Sequence, residues 1–169
     1  SLAELLAWTL EPTPETPSDD PYAQSGDWTP APGQVCAFHK TGTHTYRLET
    51  HDSVEDAWEN KGVVTHGGAC GLCSSLADLA AYAGTSDLTE PVRACGLKGL
   101  TEGLEAVDLC IQESVGFTPA CSRIWAYNTQ NTRNECLDSC LSALDDPYHN
   151  ENGTLNDCLQ CDEDESGPV

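Results

Sequence analysis

The chain has 169 residues, of which 28 are acidic and 7 are basic, so its formal net charge at neutral pH is −21. This charge opposes binding to the phosphates of nucleic acids, which are therefore not expected as partners. No stretch approaches the run of about 18 apolar residues that a membrane span requires, so no span is expected either.

The cysteine content indicates how the chain is stabilised. Ten cysteines, an even number, accompany a hydrophobic fraction of only 38%. This combination is typical of secreted domains held by disulfides, because the cytosol keeps thiols reduced. We expect an extracellular protein whose disulfides use all ten cysteines: Cys36, Cys70, Cys73, Cys95, Cys110, Cys121, Cys136, Cys140, Cys158 and Cys161.

Two further features agree with secretion. The sequon Asn152-Gly-Thr154 predicts glycosylation of Asn152. The chain begins at Ser1 and contains no Met, from which we expect a processed chain or a fragment whose signal peptide has been removed.

The N-terminal third is predicted to contain two segments that precede the compact domain. Leucines and Trp8 at near-helical spacing predict a short docking helix over residues 1–10. Residues 11–33 hold six of the ten prolines among Thr, Ser, Asp and Glu, which is typical of an extended acidic linker. Residues 34–169 are then expected to form a single disulfide-rich α+β domain.

The first part of this domain is predicted to be a small sheet. Alternation of apolar and polar residues predicts a strand over 43–50, paired as a hairpin with residues 35–39. Ser53 followed by Asp56 resembles a capping box and predicts a short helix over 54–60. Residues 62–66 are predicted to form a short buried strand.

The remainder is predicted to be mostly helical. Apolar residues at helical spacing behind a serine cap predict a helix that ends at Gly84, and Thr89 starts a short one ending near Gly96. A further helix follows Thr101. Thr118-Pro119 starts the last one, which is either a single long helix or two helices with a break near 128–131.

The C-terminal residues complete the predicted fold. Residues 145–169 are rich in Asp, Asn and Gly and are predicted to be an irregular acidic loop. Cys136 and Cys140 lie on one helix stripe, so we expect each to bond to another element. The fold class is α+β, with a small antiparallel or mixed sheet followed by four or five disulfide-stapled helices.

The segment VVTHGGACGLCS, residues 63–74, is the main candidate for chemistry. It is predicted to run from strand through a glycine turn to a helix start, where the helix dipole and free N–H groups favour a thiolate. Cys73, Cys70 and His66 are therefore the candidate catalytic residues. The run resembles the papain-like cysteine protease signature. Three positions depart from that signature: Gly67, Leu72 and Ser74.

Other interpretations of the Cys-x-x-Cys pairs remain open. Cys70 and Cys73 can each form a disulfide with a neighbouring helix, or together act as a redox pair. With Cys158 and Cys161 they also have the local spacing of zinc ligands, although 84 residues separate the two pairs.

A second candidate site lies on the last predicted helix. Tyr127, Asn128, Thr129 and Arg133 are predicted either to line a ligand cleft or to satisfy the buried end of the sheet. Arg133 would hold a carboxylate, either one of the chain's own or that of a ligand. The acidic loop 145–157 offers oxygen ligands for a structural calcium ion, and no other cofactor is expected. The upstream histidines are His39, His44, His51 and His66. Paired strands could bring some of them together as metal ligands, but no metal site is assigned to them and we expect them to be solvated or in the core.

Five segments carry a resemblance to a group of proteins: YRLETHDSVEDA, VVTHGGACGLCSSLADLAAY, LTEPVRACGLKGL, IWAYNTQNTRNECLDSCL and LNDCLQCDEDESGPV. In this order, over about residues 43–169, they resemble an uncharacterised family of secreted cysteine-rich proteins of marine microalgae and other protists. The resemblance implies an extracellular origin and no assigned activity. Similar sequences continue past the position of Val169, which implies a longer or cleaved precursor.

Two functional hypotheses follow. The first is a secreted, acidic, disulfide-stabilised domain acting in extracellular binding or assembly, with a protein partner or another chain of the same precursor. The alternative is a thiol-dependent hydrolase or transferase with Cys73 as nucleophile and His66 as base. The second hypothesis requires a free thiol, whereas the first does not.

Overall fold

The computed structural model describes residues 2–24 and 31–167 of the chain. Within these ranges the helices and strands, in chain order, are α1 (Leu2–Leu5), β1 (Thr9–Leu10), β2 (Val35–Lys40), β3 (Thr45–His51), α2 (Val54–Glu59), β4 (Val63–Gly67), α3 (Leu76–Gly84), α4 (Thr89–Glu102), α5 (Leu104–Val115), α6 (Pro119–Ser142) and α7 (Asp157–Glu165). A short 3₁₀ turn covers Pro21–Ala23. None of the helices in the described ranges is long and apolar enough to cross a membrane.

The four strands form one mixed sheet in the order β1-β3-β2-β4. The predicted hairpin is confirmed: β2 and β3 are antiparallel, with Val35 opposite His51 and Lys40 opposite Tyr46. Strand β4 pairs antiparallel with β2, and β1 adds to β3 in parallel. Ala37 and Ala57 are fully buried where α2 packs on this sheet.

The main core lies among the helices. Its largest fully buried side chain, Ile111, packs with Val107 of the same helix and with Phe117 and Ala126. Aromatic rings extend this core, because Phe117 lies 4.8 Å from Tyr82 and 5.7 Å from Trp125 between ring centroids. The α+β fold class, with a small sheet followed by disulfide-stapled helices, is confirmed.

All ten cysteines form disulfides, as predicted. The five pairs are Cys36–Cys70, Cys73–Cys121, Cys95–Cys110, Cys136–Cys161 and Cys140–Cys158. The first pair holds the loop after β4 to β2, and the second holds the turn before α3 to α6. The third joins α4 to α5, and the last two fasten α7 to α6. Cys136 and Cys140 therefore bond to another element, as their spacing predicts.

The C-terminal segment differs from the predicted irregular loop over 145–169. Residues Asp157–Glu165 form α7, which starts where the Asn156 side chain accepts a hydrogen bond from the N–H of Leu159 at 2.9 Å. Asn is a preferred residue at the N-cap of a helix. The acidic residues around Asn156 are also typical of a loop, so the sequence pattern did not predict this helix. Residues 168 and 169 lie outside the described part of the chain.

Two helices also differ in length from their predictions, and a third resolves an open alternative. The helix predicted over 1–10 covers only Leu2–Leu5, and Thr9–Leu10 pairs with the sheet instead; Ser1 lies outside the described residues. Helix α4 continues through Gly96 to Glu102. Helix α6 runs without a break across 128–131, which settles the alternative in favour of one long helix.

Residues 11–24 of the predicted linker lie along the helical part of the protein. The Tyr127 hydroxyl donates a hydrogen bond to the carbonyl of Ser18 at 2.9 Å. The Tyr22 hydroxyl accepts one from Asn128 at 3.3 Å and donates one to the carbonyl of Ser166 at 3.1 Å. Burial raises the pKa of Tyr22 above its usual value. Residues 25–30 of this segment lie outside the described part of the chain.

Candidate functional site

The predicted thiolate nucleophile is wrong. Cys73 is bonded to Cys121, and Cys70 is bonded to Cys36. A sulfur in a disulfide carries no thiolate, so neither cysteine can attack a substrate carbonyl. The same bonds exclude a redox pair formed by Cys70 and Cys73, because each of these cysteines is bonded to a different partner. They also exclude the four-thiolate zinc site, because Cys158 and Cys161 are in disulfides as well.

His66, the predicted base, faces a serine. Its Nε2 lies 2.8 Å from the Ser74 hydroxyl, and its Nδ1 lies 2.7 Å from the carbonyl oxygen of Gly67. The carbonyl can only accept, so Nδ1 carries a proton, and Nε2 and the Ser74 hydroxyl are joined by a second hydrogen bond. The Ser74 Oγ also accepts the N–H of Gly71 at 2.8 Å. The arrangement holds a serine hydroxyl within hydrogen-bond distance of an imidazole nitrogen.

His66 and Ser74 line a cleft of about 820 Å³. One wall is the segment from Glu15 to Gln24, and the other is formed by the loop before α3 together with Tyr82 and Ile124. The Tyr82 hydroxyl accepts a hydrogen bond from the Trp125 indole at 2.9 Å, and burial raises the pKa of this tyrosine. This cleft is named the His66 cleft below.

A second cleft, of about 610 Å³, lies between α4, the C-terminal half of α6, the segment 143–156 and α7. Most of its surface is apolar. Its leucines are unusually accessible, because five of them are between 41% and 58% exposed: Leu97, Leu100, Leu137, Leu141 and Leu144. We refer to it as the leucine cleft.

Three of the four predicted ligand-binding residues line the leucine cleft. Asn128, Thr129 and Arg133 lie along it on α6. Tyr127 does not line it: this side chain is buried and points toward Ser18 on the other side of the helix. Tyr127 is next to Asn128 in sequence, but successive helix positions point about 100° apart.

The two arginines of the leucine cleft form no ion pair with any described residue. Arg93 donates a long hydrogen bond of 3.4 Å to the carbonyl of Leu144, and Arg133 lies beside Gly99. Arg123 of α6 differs from them. Burial alone would lower its pKa, but hydrogen bonds to Glu105 and Asp108 raise the pKa above its usual value. The cleft arginines are therefore available to an outside carboxylate.

A third cluster joins two of the four upstream histidines, whose convergence is an alternative from the sequence, to Glu49, which the sequence did not single out. His39 and His51 lie next to each other with their Nε2 atoms 3.0 Å apart, and Glu49 is beside them. Burial, followed by the charge of Arg47, lowers the pKa of His39. His44 and His66 lie outside this group. The two-residue repeat of β-strands could have revealed the cluster, because it places residues 39, 49 and 51 on one face of the hairpin.

The acidic loop contains internal hydrogen bonds. The Asn150 amide donates to the Thr154 hydroxyl and to the carbonyl of Leu155, and the Asn152 side chain accepts from Thr154. Asn152 is exposed. Calcium binding in the loop and glycosylation of Asn152 stay predictions.

Comparison with known proteins gives one match. Residues 104–169, which contain α5, α6 and α7, match a family described as a family of unknown function (DUF8771). No curated protein and no solved structure matches the chain. The family match covers less than half of the chain and carries no activity, so function has to be argued from the clefts.

Proposed function

We propose that the protein is a secreted binding domain whose leucine cleft receives an amphipathic helix of a partner protein. The disulfides support the extracellular setting, since five of them form most readily in an oxidising compartment. The observation that carries the proposal is the double row of half-exposed leucines along the cleft.

The leucines occur at helical spacing on two neighbouring helices. Leu97 and Leu100 are three residues apart on α4, and Leu137 and Leu141 are four residues apart on α6. Such rows form ridges, and the groove between two ridges accepts the ridge of a third helix. The Cys140–Cys158 disulfide holds α7 as the end wall of this groove.

The openness of the cleft favours a helix over a small molecule. Small-molecule sites bury most of the ligand surface, whereas these leucines remain about half exposed. Helix α4 has 14 residues, which corresponds to a length of about 21 Å. A partner helix of similar length can contact the whole row.

Charge defines the partner further. Arg93 and Arg133 border the apolar lining and have no carboxylate partner among the described residues. In a chain with 28 acidic and 7 basic residues, two such arginines favour a ligand that brings its own carboxylate. We therefore expect a leucine-rich helix with a Glu or Asp beside its apolar stripe.

The test is an NMR titration of the ¹³C-methyl-labelled protein with three synthetic peptides of about 14 residues, matching the length of α4. The first has leucines at i, i+3, i+4 and i+7 with flanking glutamates, the second replaces the glutamates by lysines, and the third is scrambled. We expect the glutamate peptide to bind with a dissociation constant below about 1 mM and to shift the methyl signals of Leu97, Leu100, Leu137 and Leu141.

Three outcomes would overturn this proposal. The scrambled peptide could bind as well as the helical ones, or no peptide could shift the leucine signals. Alternatively, oleate could shift them while the helical peptides do not, and the cleft would then be a fatty-acid site. A weaker effect of the lysine peptide would support the role of the arginines.

A second function, hydrolysis with a serine nucleophile, is favoured by the 2.8 Å contact between Ser74 and His66 in the His66 cleft. A general base within hydrogen-bond distance is what a serine nucleophile requires. The test is labelling with a fluorophosphonate probe. The hypothesis expects labelling of Ser74 that disappears in Ser74→Ala and in His66→Gln. An unlabelled wild-type protein would show that the contact only closes the turn.

A further inference from the structure

We propose that His39, Glu49 and His51 form a binding site for a divalent transition metal ion such as Zn²⁺, with a fourth coordination position left open. The two imidazoles and the carboxylate each offer one ligand atom, and these atoms lie within 4.8 Å of one another. Two histidines and one carboxylate are also a common ligand set of zinc sites that keep an open position.

The distances fit a shared ion. The two Nε2 atoms are 3.0 Å apart, and Nε2 of His39 is 3.8 Å from Oε2 of Glu49. Ligands about 2.0–2.2 Å from one zinc ion in a tetrahedron are a little over 3 Å apart. Small side-chain rotations are therefore enough to bring the three atoms into one coordination shell.

The hairpin explains why the two histidines meet. Arg47 is opposite His39 on the ladder, and Val35 is opposite His51, so the imidazoles reach toward each other over Ala37. Small neighbours leave the space for them. A Cβ atom at Gly62 would lie 2.9 Å from the His39 ring and 3.0 Å from the Cβ of Ala37.

A second carboxylate orients one of the ligands. Nδ1 of His51 lies 2.8 Å from Oδ2 of Asp56, at the start of α2. This contact places the proton of His51 on Nδ1 and leaves the Nε2 lone pair directed at His39. A histidine that donates its other N–H to a carboxylate is the usual support of a metal ligand.

The remaining neighbours are compatible with an ion. Both histidines are buried, whereas the Glu49 side chain is 43% exposed, so the open position faces solvent. Arg47 pairs with Glu49 when no ion is bound, and such an exposed pair is easily exchanged. Imidazole ligands favour Zn²⁺, Cu²⁺ or Ni²⁺ over Ca²⁺, which prefers oxygen atoms only.

The experiment uses the oxidised full chain, treated with a chelator and dialysed, and measures ZnCl₂ binding by isothermal titration calorimetry in excess Ca²⁺. The Ca²⁺ occupies the many surface carboxylates, and the disulfides keep cysteine from binding zinc. We expect one zinc ion per chain. Glu49→Gln and His51→Gln should each weaken binding at least about 10-fold, and Asp56→Asn by about 10- to 100-fold.

Two control variants remove an imidazole and a carboxylate that lie outside the proposed site. His44→Gln on the β2–β3 turn and Glu113→Gln on α5 are exposed, and both should bind zinc like the wild type. Because His51 is buried, thermal melting without metal must show that His51→Gln is folded. Glu49→Gln, at a more exposed position, provides an independent variant.

The possible outcomes distinguish zinc bound by the imidazoles from zinc bound only by carboxylates. Visible absorption bands of tetrahedral Co²⁺ that are lost in His51→Gln would support the site. Absence of zinc binding, displacement of zinc by Ca²⁺, or equal affinity of the wild type and His51→Gln would each overturn it. In the last case, the short contact between His39 and His51 is a hydrogen bond only.

Discussion

Asp78 and Thr118, 40 residues apart in the chain, join the starts of two helices through a fully buried carboxylate. Oδ1 of Asp78 accepts the N–H of Thr118 at 2.7 Å, and Oδ2 accepts the Thr118 hydroxyl at 3.0 Å. The same carboxylate accepts the hydroxyl of Ser75, which caps α3. One side chain therefore sets the start of α3 against the start of α6.

Replacing the Asp78 carboxylate should destabilise the folded protein. We expect Asp78→Ala to lower the free energy of unfolding by about 3 kcal/mol, because one buried and two partly buried donors lose their acceptor at about 1–3 kcal/mol each. Urea unfolding under non-reducing conditions measures the change. The control, Asp138→Ala, removes an exposed carboxylate of α6 and should change stability by less than about 0.5 kcal/mol. Equal effects would contradict the structural role of Asp78.

Gly99 should resist substitution although it lies inside a helix. A Cβ atom there would lie 2.8 Å from Cγ2 of Val107 and 2.7 Å from Nη1 of Arg133. Overpacking costs about 1–3 kcal/mol, whereas the gain in helix propensity is at most about 1 kcal/mol, so Gly99→Ala should be destabilising. Thermal unfolding tests this. Gly67→Ala, whose Cβ would contact no other group within 4 Å, should be nearly neutral.

The two disulfides of α7 should hold a helix whose other contacts with α6 are largely polar. No residue of α7 itself is buried, and the disulfides close loops of 25 and 18 residues. Replacing all four cysteines by serine removes about 3 kcal/mol per disulfide on the chain-entropy estimate. We expect a glutamate-specific protease to cleave faster after Glu163 and Glu165, while α4–α6 stay folded by circular dichroism.

The matched control for this prediction is replacement of Cys95 and Cys110, whose disulfide joins α4 to α5 in the main core. That variant should lower the melting temperature without selective cleavage in α7. Unchanged cleavage of the variant lacking both α7 disulfides would mean that the polar contacts of α7 with α6 are sufficient to hold it.

A charged residue in the leucine cleft should leave the stability of the free protein nearly unchanged but should weaken binding of the peptide. Leu141 and Leu109 are 54% and 58% exposed, and only Leu141 lines the cleft. Leu141→Asp and Leu109→Asp should each change stability by about 0.5 kcal/mol or less. The titration with the glutamate peptide should show at least about 10-fold weaker binding for Leu141→Asp alone, since the complex would bury a charge in apolar surroundings. Equal affinity in both variants would contradict the assigned surface.

Local signals determined much of the secondary structure. The hairpin predicted over 35–39 and 43–50 follows from alternation of apolar and polar residues. Helices α2 and α6 start at the predicted caps, Ser53 and Thr118, and the predicted serine cap of α3 is Ser75. These features depend on residues within a few positions of each other, so a linear pattern contains the information. Helix α4 continues beyond Gly96 for a different reason: Gly96 fits closely against Thr129 of α6 and Gly99 against Val107 of α5, and these contacts between helices do not appear in a local pattern.

The sequence by itself determined the fold class, the strong acidity and the use of all cysteines in disulfides. Only the tertiary structure decided which cysteines pair, that Ser74 is the residue facing His66, and that Asn128 but not Tyr127 lines the leucine cleft. It also decided that His39 meets His51. The physical reason is common to all of these: each depends on a distance between elements that are separated along the chain, and packing sets that distance.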